Sequence, residues 1–237
     1  MKKSKIGLLT TLAAAGFAAN LVLIQGLLAQ SVMFVPPEGS QPTKTSGGAT
    51  RGNLCAQEAM VSPDRITLLV PAINQTLTTD ARPTFLAYVP KTGAERALLV
   101  IKDEQDNNHY QAELPINGEE GIISVRLPND APELEVGKNY KWSLVVMCNN
   151  QVLPDSPGAE GEVKRVELDS NISTQLEPGT SMKNAALLGQ SGIWYDTVAT
   201  LAELKKANPS DTTITAEWET LLTSVGLEEV ATKPLAQ

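Results

Sequence analysis

The sequence predicts a mainly β protein, an immunoglobulin- or fibronectin-like antiparallel β-sandwich that carries a short α-helical C-terminal tail. Three observations lead there. Short runs rich in β-branched and aromatic residues recur between Arg65 and Leu168, Gly, Pro, Asn and Asp clusters separate them, and beyond Leu168 the apolar residues change to helical spacing. About seven strands in about a hundred residues is the density of a sandwich.

The seven runs are RITLLVP (65–71), PTFLAYVP (83–90), RALLVIKD (96–103), HYQAELP (109–115), GIISVRLP (121–128), NYKWSLVVMC (139–148) and GEVKRVEL (161–168). In the second, Phe85, Ala87 and Val89 share one face and Thr84, Leu86 and Tyr88 the other. Pro83 takes the first strand position, where a missing N–H costs least. Arg82, just before it, reads as a structural anchor rather than a ligand-binding residue. In the sixth run Tyr140, Trp142, Leu144 and Val146 point one way, the inner face of a central strand, with Lys141 and Ser143 outward. Trp142 is then a core side chain.

Beyond Leu168, DSNISTQLEPGTS reads as a linker. SMKNAALLGQ predicts a short helix ending near Gly189, and a second carries Trp194, Val198, Leu201 and Leu204 at helical spacing before Asn208-Pro209 closes it. Lys205 and Lys206 fall favourably at its C-terminal end. A third is capped by Asp211 and places Trp218, Leu221, Leu222 and Val225 at i, i+3, i+4 and i+7. Ala185, Leu188, Gly192, Trp194, Leu201, Leu204 and Pro209 partly echo a tetratricopeptide unit, with Thr197 where that pattern wants alanine. Only one copy is present, and one unit cannot bury its own face. The tail is expected to pack on the sandwich or on another protein.

The chain opens with lysines at positions 2, 3 and 5, then a charge-free stretch from Ile6 to Ala29. This is the layout of a secretory signal peptide, with Leu27 and Ala29 at the small-x-small positions, and a retained single-pass anchor is the rival reading. Residues 31–54, rich in Pro, Gly and small polar residues, read as a tether. The resulting division is 1–29 signal peptide, 30–54 flexible N-terminal segment, 55–168 β-sandwich, 169–180 linker and 181–237 helical tail. The expected localisation is extracytoplasmic: periplasm, outer envelope or secreted.

A formal charge of -8 argues against nucleic acid, whose affinity rests on Lys and Arg at phosphates, and against an anionic membrane surface. Membrane association is expected only through an uncleaved leader. The two cysteines, Cys55 and Cys148, lie beyond the leader of a chain bound for an oxidising compartment, and pairing is the natural inference. Two unrelated buried thiols are the alternative.

Catalytic patterns are sparse. His109 is the one histidine, and no Gly-x-Ser-x-Gly elbow supplies a nucleophile for it. KDEQDNN (102–108) has calcium-type oxygen ligands without the spacing of an EF-hand, and reads as a solvated hairpin turn. Glu119 and Glu120 sit together in a Gly-flanked turn, but nothing singles them out as the carboxylate pair of a glycosidase. SGGATRG (46–52) lacks a preceding strand and a Walker lysine. The sequon forms at Asn74 and Asn171 read as coincidence. No catalytic, cofactor-binding or metal-ligating set is expected.

The segments GATRGNLC, LTTDARPTFLAYVP, GIISVRLPNDAPELEVGKNYKWSLVVMC, GIWYDTVATLAEL and WETLLTSVGLEEV, in that order, resemble a cyanobacterial family of exported proteins known as domain of unknown function 928. The resemblance spans roughly residues 48–235 and implies a cyanobacterial, extracytoplasmic protein. It brings no activity, cofactor or catalytic residue with it. The reading that follows is a non-enzymatic interaction or structural module of the cell envelope, meeting an envelope protein partner through its helical tail. The alternative is carbohydrate binding or modification, with Tyr88, Tyr110 or Trp194 as stacking platforms.

Overall fold

The computed structural model describes residues 31–43, 65–154 and 156–236. Its elements run in the order β1 (Thr67–Leu68), β2 (Leu77–Thr78), β3 (Thr84–Val89), β4 (Arg96–Lys102), β5 (Asn108–Pro115), β6 (Gly121–Arg126), β7 (Asn139–Val146) and β8 (Gly158–Arg165), followed by α1 (Ser170–Ser173), α2 (Met182–Gln190), α3 (Trp194–Ala207), α4 (Thr212–Ser224) and α5 (Glu228–Ala231). The strands form two sheets, β1-β3-β6 and β2-β8-β7-β4-β5. Every pairing is antiparallel apart from β2 on β8, which is parallel. The protein is therefore mainly β, with C-terminal helices.

Five of the predicted strands stand where the sequence placed them, and three differences have simple causes. RITLLVP yields only the two residues of β1, β8 begins at Gly158 rather than Gly161, and β2 arises at Leu77–Thr78, where no strand is predicted. A two-residue strand is too short for alternation to reveal.

The sheets meet where Phe85 of β3 packs on Trp142 of β7, ring centroids 4.5 Å apart. The inner set of β7 is buried as expected, residue by residue, with Lys141 and Ser143 more open. Gly161 on β8 makes room for the Trp142 indole, because a Cβ there would lie 3.2 Å from Nε1. All six residues of β3 are buried. Phe85, Ala87 and Val89 face the second sheet, and on the opposite face Lys233 Nζ sits 5.1 Å from the centroid of the Tyr88 ring.

Side chains cap α2 and α4, and the Asp211 cap is the one that the sequence predicts. Ser181 accepts from the Asn184 N–H, and Asp211 accepts from the N–H groups of Thr213 and Ile214. Their apolar faces do not form a separate tail, however. α3 lies against β3 and β2. Trp194, Val198, Leu201, Trp218, Leu221 and Leu222 belong to the same buried cluster as Phe85, Trp142 and Leu144. Hydrogen bonds fix this union, since Trp194 Nε1 donates to the Leu69 carbonyl at 2.7 Å and Trp142 Nε1 donates to Tyr195 Oη at 2.7 Å. The single helical unit thus buries its face against its own sandwich. The last residues also join a sheet: Ile122 N–H donates to Pro234 O and Ala236 N–H to Ile122 O, setting Leu235 parallel to β6.

The flexible segment expected over 30–54 needs a correction in its first part. Residues 31–43 are held to the fold: Val32 is fully buried, Phe34 packs edge-on against Trp194 at 5.0 Å, and Pro42 bridges to Ile73. Residues 44–54 lie outside the described residues.

Candidate functional site

β5 and β6 follow each other in the chain but end two different sheets. The connection between them turns at Gly118, whose φ of +73° and whose approach to Thr92 O, 2.6 Å from an added Cβ, admit no larger residue. On the open side of the sandwich the two edges leave a groove of about 330 Å³. Leu114, Pro115, Ile123 and Val125 give it an apolar floor, and Arg126 and Lys206 stand at its rim with Ser124 and Ala236. Arg126 holds Asp80 at 3.0 Å, while Lys206 is exposed in the last turn of α3. Among the described residues no carboxylate lines the groove, so its local charge opposes the chain's formal -8. Such a surface offers burial to an extended apolar segment and attraction to an acidic group.

A second polar arrangement serves the fold. Asp196, in the first turn of α3, accepts from Thr79 N–H at 2.7 Å and from the hydroxyls of Thr78 and Thr79 at 3.1 and 3.2 Å. Burial raises its pKa above the usual carboxylate range, against the pull of those donors. The group pins α3 to the β2–β3 connection. Next to it Asp80 accepts from Arg82 N–H, Arg82 Nε donates to Ala131 O, and Arg82 Nη1 reaches Glu133 at 2.9 Å. Arg82 is thus the anchor that the sequence suggested.

The other candidates separate cleanly. His109 stacks on Tyr140, centroids 4.7 Å apart, and its Nε2 is buried without a hydrogen-bond partner among the described residues. Residues 102–108 form the expected turn: Asp103 accepts from Gln105 N–H, Asn107 N–H and the Asn107 amide, and the Asn107 side chain chiefly holds its pKa low. Among the described residues no group of three or more His, Cys, Asp or Glu side chains is placed to hold a metal. Glu120 is engaged by Lys233 at 2.5 Å.

Two of the three stacking platforms of the carbohydrate reading are buried. Tyr88 is 2% exposed and Trp194 is fully buried, while Tyr110 is half-buried against the core. Both are large apolar surfaces consumed by the junction of sheets and helices. Cys148 is buried just after β7, and no cysteine among the described residues is free. Its expected partner Cys55, like the SGGATRG stretch and the leader, lies outside the described residues. The helical spacing that suggested a partner through the tail is accounted for by contacts within the chain. The groove itself escaped the sequence reading, because two consecutive strands give no sign that they belong to opposite sheets.

What fold and site define is a two-sheet β protein with its helices built into the core and a shallow, cation-rimmed groove between two strand edges. The chain belongs to the DUF928 family, described as a domain of unknown function, which matches residues 46–235. No curated protein and no solved structure matches it.

Proposed function

We propose that this DUF928 protein is an exported, non-enzymatic interaction module of the cell envelope, built on an immunoglobulin/fibronectin-like sandwich, with the β5–β6 groove as its docking surface. Two features support the finer fold. The strand order β1-β3-β6 against β2-β8-β7-β4-β5 follows a Greek-key path, and Tyr140, near the start of the penultimate strand, accepts through Oη from Glu135 N–H at 3.0 Å. A tyrosine that reaches back across the corner before that strand is a hallmark of such sandwiches.

The observation that carries the function is the groove. An apolar floor under a cationic rim, beside a strand edge open to pairing, fits an extended partner segment bearing acidic groups. The partner contact therefore moves from the helices, whose apolar faces are covered, to the edge strands. Sedimentation of the mature protein and pull-downs from envelope fractions test this, using wild type beside Lys206→Glu and Val125→Lys. Retention of an envelope protein by wild type alone is the expected result. A monomer that enriches nothing, or a partner indifferent to both changes, overturns the reading. Fractionation of cells expressing the full chain tests export separately.

A further inference from the structure

The outer edge of β6 is filled over its first part and open beyond it. Ile122 N–H donates to Pro234 O at 2.7 Å and Ala236 N–H donates to Ile122 O at 2.8 Å, so the backbone groups of Ile122 point away from β3. These groups alternate in direction along a strand, which turns the N–H and C=O of Ser124 and Arg126 to the same outer side. Among the described residues no strand pairs with β6 there, since β6 ends its sheet and the C-terminal pairing centres on Ile122. The side chains alternate as well. Val125 lies opposite Phe85 and Ile123 opposite Ala87, on the face turned toward the second sheet, and both are half-buried. Leu114 lines the same groove from β5, where it lies opposite the buried Ala97. Ser124 and Arg126 lie opposite Leu86 and Thr84 on the other face, and both are exposed. Asp80 takes one N–H of the Arg126 guanidinium at 3.0 Å, and a guanidinium carries five.

A strand added to this edge meets two environments in turn, because residues directly across a strand pair share a face. The guest residue opposite Val125 drops onto Val125 and Leu114 between the sheets, and its two neighbours project beside Ser124 and Arg126, with Lys206 on the same rim. We infer that the open edge of β6 takes a short partner strand by backbone pairing at Ser124 and Arg126, and that it selects an acidic–apolar–acidic alternation; this rests on the docking reading above. The edge already accepts one strand, residues 234–236, laid along the same track. Its groove offers an apolar floor on one face and cations at the rim, and among the described residues none that line it is acidic. Backbone bonds supply the attraction and the alternate side chains the selection. Charge on an edge also guards it against indiscriminate pairing, so that a basic strand is repelled where an acidic one is admitted. The pattern reads the same from either end, and the selection holds for a parallel or an antiparallel guest.

The test titrates the protein into fluorescently labelled peptides and reads anisotropy. The probe is the end-blocked heptapeptide Ser-Glu-Val-Glu-Val-Glu-Ser. One control has the same composition with its valines adjacent, and another carries Lys at the Glu positions. The probe is expected to bind saturably, and each control about fivefold or more weakly. Two further forms, N-methylated at the valines or at the glutamates, each remove one row of backbone donors, of which only one row faces β6. One form is expected to bind about fivefold or more weakly than the other. On the protein, Lys206→Glu and Ser124→Pro are expected to weaken the probe by a similar factor, proline being tolerated at an outward N–H of an edge strand. If Ser124→Pro does not fold, the N-methylated pair still reads the backbone bonds. No saturable binding of the probe, a control that falls short of that margin, or equal binding of the two N-methylated forms overturns the inference. With any of these, an envelope protein that wild type retains and Lys206→Glu loses leaves the docking reading standing, whereas one indifferent to Lys206→Glu overturns that reading too. Probe binding with no captured protein upholds the edge chemistry and removes only the envelope assignment.

Discussion

Removing one oxygen from the centre of the protein gives the sharpest check on how its parts are joined. Tyr195 is buried, accepts from Trp142 Nε1 at 2.7 Å and donates to the Glu162 carbonyl at 2.6 Å. Tyr195→Phe therefore leaves the indole N–H of Trp142 buried and unpaired, at a cost of about 1–3 kcal/mol, and removes a second bond worth about 1 kcal/mol. The Glu162 carbonyl keeps the Thr76 hydroxyl as a donor, so the second loss stays small. The total of about 2–4 kcal/mol corresponds to a fall of roughly 5–15 °C in Tm for a chain of this size. Urea denaturation followed by circular dichroism, repeated in a Trp142→Phe background, isolates the orphaned donor. In that background the indole is absent, and Tyr195→Phe is expected to cost only about 1 kcal/mol. Equal costs in the two backgrounds, or a wild-type cost under about 0.5 kcal/mol, refute the claim that helix and sandwich share one polar-latched core.

Three further outcomes follow from particular groups. Tyr140→Phe unpairs Glu135 N–H and is expected to lower stability by about 1–2 kcal/mol, read from the urea midpoint. Asp196 has a pKa raised by burial, so its native state takes up a proton that the unfolded chain still lacks, and its contribution is largest at low pH and is lost as pH rises through the folded pKa. Thermal melts from neutral to mildly acidic pH should accordingly show wild type gaining on Asp196→Asn as pH falls, and a constant difference contradicts the assignment. Cys55 and Cys148 are proposed to pair: intact mass after alkylation should be unmodified without reductant and carry two labels with it, and two labels without reductant exclude the bridge.

Much of this was legible because strand alternation reports burial directly. Tyr140, Trp142, Leu144 and Val146 could be assigned to the core from spacing alone, and Asp211 could be assigned as a helix cap, since each signal lies within a few residues. What a periodic face cannot report is its cover. The spacing of Trp194, Val198 and Leu201 marks an apolar stripe, but whether a partner or the chain's own β3 lies over it depends on contacts more than a hundred residues away in sequence, such as Trp194 to Leu69. The seating of residues 31–43 on the fold was missed for a related reason. SVMFV is too short for a secure strand, and its neighbours are the prolines and glycines of a tether. Its seat is made by the absence of Cβ atoms at Gly189 and Gly192 in a distant helix–helix turn. A missing side chain leaves no apolar signal, so the complement of a strap is the kind of feature that pattern reading passes over. The groove shares that property. Its floor residues Leu114, Ile123 and Val125 read as ordinary strand positions, and only the assignment of β5 and β6 to different sheets leaves an open face between them. In this protein local chemistry sets the elements, whereas the surfaces open to a partner are set by which edges the two sheets leave uncovered.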